Sequence, residues 1–118
     1  MTGWIVRRHV RQTALRLVAM VLAWIMSSAQ LSAAEHIVEI EKFKFVPEQL
    51  TVRLGDTIKW INRDIAPHTA TARDRTWDTK RLKKGEAMSV VVSEGMQMDY
   101  FCLYHPHMKA KLVLDTSR

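Results

Sequence analysis

The sequence predicts an all-β domain, a sandwich or barrel of about seven or eight short strands. Three observations carry this. From Glu35 onward, apolar residues repeatedly alternate with polar ones at period two, the signature of half-buried strands. Turn residues punctuate these runs at short intervals. Nothing after Glu35 sustains the 3.6-residue apolar period of a helix.

Taken in order, "HIVEIEKFKF" (36–45) predicts a first strand, with Val38 and Ile40 on one face and charged residues on the other. Pro47 interrupts it. In "EQLTVRLGDTIKWIN", Leu50, Val52 and Leu54 alternate with polar residues, "GD" turns the chain, and Ile58 and Trp60 resume the alternation. That pattern predicts a hairpin. "HTATAR" predicts a short Thr-rich strand. "KKGEAMSVVVSEG" has turn residues at both ends and a β-branched centre. "MQMDYFC" and "KAKLVLD" complete the set.

The composition is that of a globular protein: 47% hydrophobic and 25% charged residues, with 4 Gly and 3 Pro. The net charge of +6 raises the question of nucleic-acid binding. Its distribution argues against that class. Arg7, Arg8, Arg11 and Arg16 fall in an acid-free N-terminal stretch, whereas from Glu35 onward fourteen basic residues face twelve acidic ones, a balance of +2. The N-terminus has the order of a secretory signal: basic residues to Arg16, an apolar run from Leu17 to Met26, then the small, polar "SSAQLSAA". The apolar run is shorter than the roughly 20 residues of a stable span. We therefore expect a signal peptide over 1–34, cleaved after Ala33 or Ala34, with an uncleaved anchor as the alternative. Residues 35–118 then form the exported domain, not stably inserted in the membrane. Arg7-Arg8 alone does not establish a twin-arginine signal.

Cys102 is the only cysteine. In an exported chain it has no partner for an internal disulfide, so it is either a buried passenger or a metal ligand. Its neighbours favour the ligand. "CLYHPHM" spaces Cys102, His105 and Met108 as Cys-x-x-His-x-x-Met. A strand ending at Cys102 and turning at once, stiffened by Pro106, would aim a thiolate, an imidazole and a thioether at one point. His68, after Pro67 in "NRDIAPHTA", offers a second imidazole from a neighbouring turn. Two imidazoles, one thiolate and a weak thioether select copper, whereas structural zinc seldom uses Met. The expected ligands are thus His68, Cys102, His105 and Met108, holding one copper ion that cycles between Cu(I) and Cu(II). The set leaves no open position for a substrate and no nucleophile–base pair is evident, so an enzyme is not expected. His107 is a rival imidazole, read as surface; Met96 and Met98 are rival thioethers, with Met98 read as core. His9 and His36 are read as solvated or satisfied polar residues.

These residues resemble the cupredoxins. The resemblance covers the whole exported segment, through "FKFVPEQLTVRLGDTIKWINRD", "PHTA" and "DYFCLYHPHM". The short ligand loop is most similar to that of the amicyanins, and less to those of plastocyanins and pseudoazurins. The resemblance implies an eight-stranded Greek-key sandwich, a type 1 (blue) copper centre and one-electron transport in the periplasm. By position His68, Cys102, His105 and Met108 match the family's ligands, with His105 the exposed one in an apolar patch. Three positions depart from the pattern. Thr69 stands where Asn is common, so a hydroxyl would have to tie the ligand loops together. Tyr104 replaces a common Pro, and His107 replaces an apolar residue. An electron carrier meets redox partners such as a dehydrogenase, a cytochrome c or an oxidase through small interfaces. The basic residues Lys80, Arg81, Lys83, Lys84, Lys109 and Lys111 suggest partners with an acidic docking surface. A monomer is expected. The alternatives are a copper-binding protein for delivery, storage or resistance, and a metal-free binding module, which would leave Cys102 unexplained.

Overall fold

The structure is a computed structural model and describes residues 32–117. The expected signal peptide therefore lies almost wholly outside the described residues. Eight strands follow in chain order: β1 (Glu35–Glu41), β2 (Lys44–Val46), β3 (Gln49–Val52), β4 (Thr57–Asn62), β5 (Thr71–Ala72), β6 (Ala87–Val91), β7 (Asp99–Phe101) and β8 (Lys109–Leu114). They form two four-stranded sheets, ordered β2-β1-β4-β6 and β3-β8-β7-β5. The chain changes sheet at every connection from β2 to β7, which makes a Greek-key sandwich. Among the described residues no helix is long and apolar enough to cross a membrane.

The alternating residues meet between the sheets as period two requires. Val38, Ile40, Phe45, Ile58 and Trp60 bury against Val52, Tyr100, Ala110 and Leu112. Aromatic rings dominate the middle: Tyr100 packs edge-on against Phe45 at 4.8 Å and Trp60 at 5.5 Å, and Trp60 stacks on Trp77 at 5.2 Å. Burial pushes the Tyr100 phenol up to about 12.

Two sequence expectations are corrected here. "HIVEIEKFKF" is two strands, not one. It folds into a hairpin with Ile40 opposite Phe45 and Glu41 opposite Lys44. The reason is visible in the phase of the pattern: Val38 and Ile40 occupy even positions, Phe43 and Phe45 odd ones, and no single strand can bury both sets. Conversely, the expected hairpin over 49–62 is not one. β3 pairs in parallel with β8, whereas β4 lies between β1 and β6 in the other sheet. Val52 and Trp60 both reach the core, but from opposite walls. Leu54, which continues the alternation in sequence, lies in the crossover and is half exposed.

Asp56 holds that crossover. Gly55 adopts φ +88°, a region open to glycine, and Asp56 follows. The Asp56 carboxylate accepts the amides of Ala34 and Arg53 at 2.9 Å and faces His36 Nε2 at 2.8 Å. His36 is thus a satisfied polar residue, as expected. Burial raises the Asp56 pKa, but the two amides and His36 outweigh it and leave the group below the usual carboxylate value. A carboxylate whose pKa is lowered on folding stabilises the fold above its unfolded value of about 3.9, and the contribution fades as pH falls through the folded value. Asp56→Asn should lower stability by about 1–3 kcal/mol at pH 7. In urea melts across pH 2–7, the gap between variant and parent should narrow toward the acid end.

Candidate metal centre

The turn after β7 explains the Cys-x-x-His-x-x-Met spacing. The His105 amide donates to the Cys102 carbonyl at 3.3 Å, and the Met108 amide to the His105 carbonyl at 2.8 Å. Each bond closes a three-residue step. The Cys102 amide then donates to the Met108 carbonyl at 3.1 Å and shuts the loop. Cys102 and Met108 are buried, and His105 is partly exposed.

His68 arrives from the connection between β4 and β5. It is fully buried and bridges Leu82: each amide donates to the other's carbonyl, at 3.1 and 2.8 Å. Buried Asn62 shapes the preceding loop, its Nδ2 donating to the Ala66 and Leu82 carbonyls and its Oδ1 accepting the Asp64 amide. The Cys102 sulfur lies 3.7 Å from His68 Nδ1 and 3.6 Å from His105 Nδ1. The three donor atoms fall within 4.8 Å of one another. His107 is exposed and outside this cluster, and Met96 and Met98 pack against the core.

The groups behind the donors fix their chemistry. Asp64 Oδ2 is 2.8 Å from His68 Nε2. Burial raises the Asp64 pKa, but the Phe43 and Lys42 amides and His68 outweigh it and keep the group below the ordinary carboxylate value. An ionised carboxylate only accepts, so Nε2 carries a proton and Nδ1 is the nitrogen that faces Cys102. His105 is held below the usual histidine value, first by burial and then by His68 and His107. Thr69 replaces the linking amide side chain as the sequence suggested: its hydroxyl accepts the Leu103 amide at 2.9 Å, and its own amide points at the Cys102 sulfur at 3.4 Å.

A family pattern described as the cupredoxin-like domain matches residues 15–114. The chain belongs to this family. Amicyanin from Paracoccus denitrificans is 31% identical over 94 residues, covering 75% of this chain and 72% of that protein. Amicyanin from Paracoccus versutus is 26% identical over 95 residues, covering 76% and 72%. Among solved structures, the Cu(I) form of an amicyanin mutant superposes with a TM-score of 0.62 at 34% identity, over 74% of this chain and 88% of that one. A copper-containing nitrite reductase from Thermus scotoductus shares the fold alone, with a TM-score of 0.63 at 21% identity over 24% of its length. In this cupredoxin the donor atoms of His68, Cys102 and His105 come together, with Met108 buried in the same closed turn.

Sequence reasoning missed Phe43 and Asp64. Lys42 and Phe43 form the β1–β2 turn with φ of +52° and +58°, a two-residue turn that ordinarily takes Asn and Gly. Such conformations cost roughly 1–3 kcal/mol per residue. Asp64 offsets that cost by accepting both turn amides, at 2.7 and 2.9 Å. The turn sets the Phe43 ring edge-on against both histidines, 5.1 Å from His68 and 4.9 Å from His105. The phase break before Phe43 was the available signal. Asp64→Ala removes three bonds at once, one to the imidazole that faces Cys102. It should lower stability by about 2–4 kcal/mol, measured as the denaturant midpoint of the metal-free protein.

Proposed function

We propose that this cupredoxin is a one-electron carrier whose single copper ion is held by His68 Nδ1, the Cys102 thiolate, His105 Nδ1 and the Met108 thioether. The observation that carries the reading is the convergence of Cys102 with two imidazoles from separate loops. The donor set fits the metal: two nitrogens and a soft sulfur, with a buried thioether in the same closed loop. Copper, when bound, supplies one-electron chemistry by alternating between its +1 and +2 states. The chain's own residues keep the surroundings constant. Asp64, Thr69 and the closed Cys102–Met108 loop restrain the donors from behind, which favours electron transfer over release of the ion. His105 provides a partly exposed edge against the exposed Phe43 ring and next to exposed Tyr104, apolar residues suited to brief contact.

The same proposal places the chain in the periplasm as a monomer, after removal of residues 1–34 as a signal peptide. Its partners would be a dehydrogenase, a cytochrome c or an oxidase. Electrostatics supports an acidic partner surface. A groove of about 360 Å³ on the β5–β7–β8 sheet is lined by Arg73, Arg75 and Lys109, with Asp99 as the one acidic group. Arg53 and Arg63 are ion-paired with Asp115 and Glu39, but among the described residues Arg73 and Arg75 have no such partner. The Arg75 guanidinium lies over the Phe101 ring at 5.3 Å.

Adding Cu(II) to the purified protein should give an intense blue absorption, and Cys102→Ser should abolish the colour. A colourless copper complex would favour delivery or storage instead. With hexacyanoferrate(II) as an anionic reductant, the second-order rate should fall as ionic strength rises, and less steeply in Arg73→Gln/Arg75→Gln. A rate indifferent to salt would remove the steering role.

A further inference from the structure

We propose that Asp78 is a positioning residue for the metal centre: through Thr71 and Thr69 it fixes the hydroxyl that joins the two donor loops. The argument is an accounting of protons. Thr71 Oγ1 lies 3.1 Å from Asp78 Oδ1, and a carboxylate only accepts. The single Thr71 hydroxyl proton therefore goes to Asp78. Thr69 Oγ1 lies 2.9 Å from Thr71 Oγ1, and that contact needs a proton of its own. Thr71 has none left, so Thr69 supplies it. The lone pairs of Thr69 are then free for the Leu103 amide at 2.9 Å. The order runs one way, from the Leu103 amide through Thr69 and Thr71 to Asp78. Reversing it would take the Thr71 proton from Asp78 and leave the buried Thr69 hydroxyl proton without an acceptor among these partners.

The chain of bonds sits where it counts. Thr69 and Thr71 are each 1% exposed, so water does not compete for the hydroxyls. Leu103 is the residue after Cys102, and the Thr69 amide itself points at the Cys102 sulfur. Thr69 thus grips Cys102 at two points, and the orientation of one of them is dictated from Asp78. Asp78 is in turn anchored independently of the donors. It accepts the amide of Lys80, which has φ of +63°, and its segment is tied to Ala70 through the amide and hydroxyl of Thr79. The Lys80 ammonium lies 3.6 Å from Asp78 Oδ2.

The inference rests on Cys102 being a copper ligand, and its first readout needs no copper. Hydrogen exchange should be followed by NMR at the Leu103 amide of the metal-free protein, with the Val92 and Leu112 amides as core references. Thr71→Val cuts the chain while keeping the shape of the side chain. It should speed Leu103 exchange about tenfold with the references unchanged, and Thr71→Ser should restore protection. In the copper-loaded protein the reduction potential should move in Thr71→Val and stay at the parent value in Thr71→Ser. Unchanged Leu103 exchange in Thr71→Val would overturn the proposal, as would equal acceleration at all three amides or failure of Ser to restore it. Loss of blue colour in the parent would instead overturn the copper reading and leave the exchange result standing.

Discussion

One carboxylate ties the front of the sandwich to its chemistry. Asp64 accepts the Lys42 and Phe43 amides on one side and faces His68 Nε2 on the other. Without it the β1–β2 turn would hold two non-glycine residues in a left-handed conformation with their amides unsatisfied. Phe43 would then have no fixed place against the imidazoles. The same bond selects which nitrogen of His68 faces the sulfur. A single acidic side chain therefore sets backbone geometry, ring packing and imidazole orientation together.

The site itself was the most legible part of the sequence. Cys102, His105 and Met108 are joined by two successive three-residue hydrogen-bonded steps, and such local geometry is written in spacing. His68 was legible as a second imidazole offered from a turn just after Pro67, outside the Cys102 loop. The strand inventory was also legible, since period-two alternation reports which residues face a core. Pairing was not. Alternation around Gly55 is the same whether the chain folds back in one sheet or crosses to the other; only the partners of β3 and β4 distinguish them. The roles of Asp64 and Asp78 were invisible for a related reason. Asp64 meets Lys42 across 22 residues, and nothing in either one's neighbourhood announces the other.

The left-handed turns show how strain is distributed. Lys42 and Phe43 are buttressed by Asp64, Lys80 by Asp78, and Arg75, with φ of +66°, stands beside Asp74, which accepts the Thr76 amide and hydroxyl. In each case a short acidic side chain supplies acceptors that a strained turn lacks. Two of the three reach further. Asp64 continues to His68, and Asp78 continues through two threonines to the residue after Cys102. Asp74 ends at its own turn. The difference separates turns that merely close the chain from turns that also hold the donors.

This division accounts for how a small sandwich keeps a buried sulfur and two imidazoles in register without helices or disulfides among the described residues. Donors on loops are ordinarily mobile, because loops carry few packing contacts. Here the donor loops are short and each is held from the far side by groups rooted in a different segment. His68 is restrained through Asp64 and Leu82, Cys102 through Thr69, and Met108 through the backbone of its own turn. Movement of Cys102, His105 or Met108 would break bonds that join the three, and movement of His68 or Cys102 would also break bonds to Asp64, Leu82 or Thr69. Rigidity of that kind keeps the donor positions similar when the charge at the centre changes by one electron, which is the property a carrier requires.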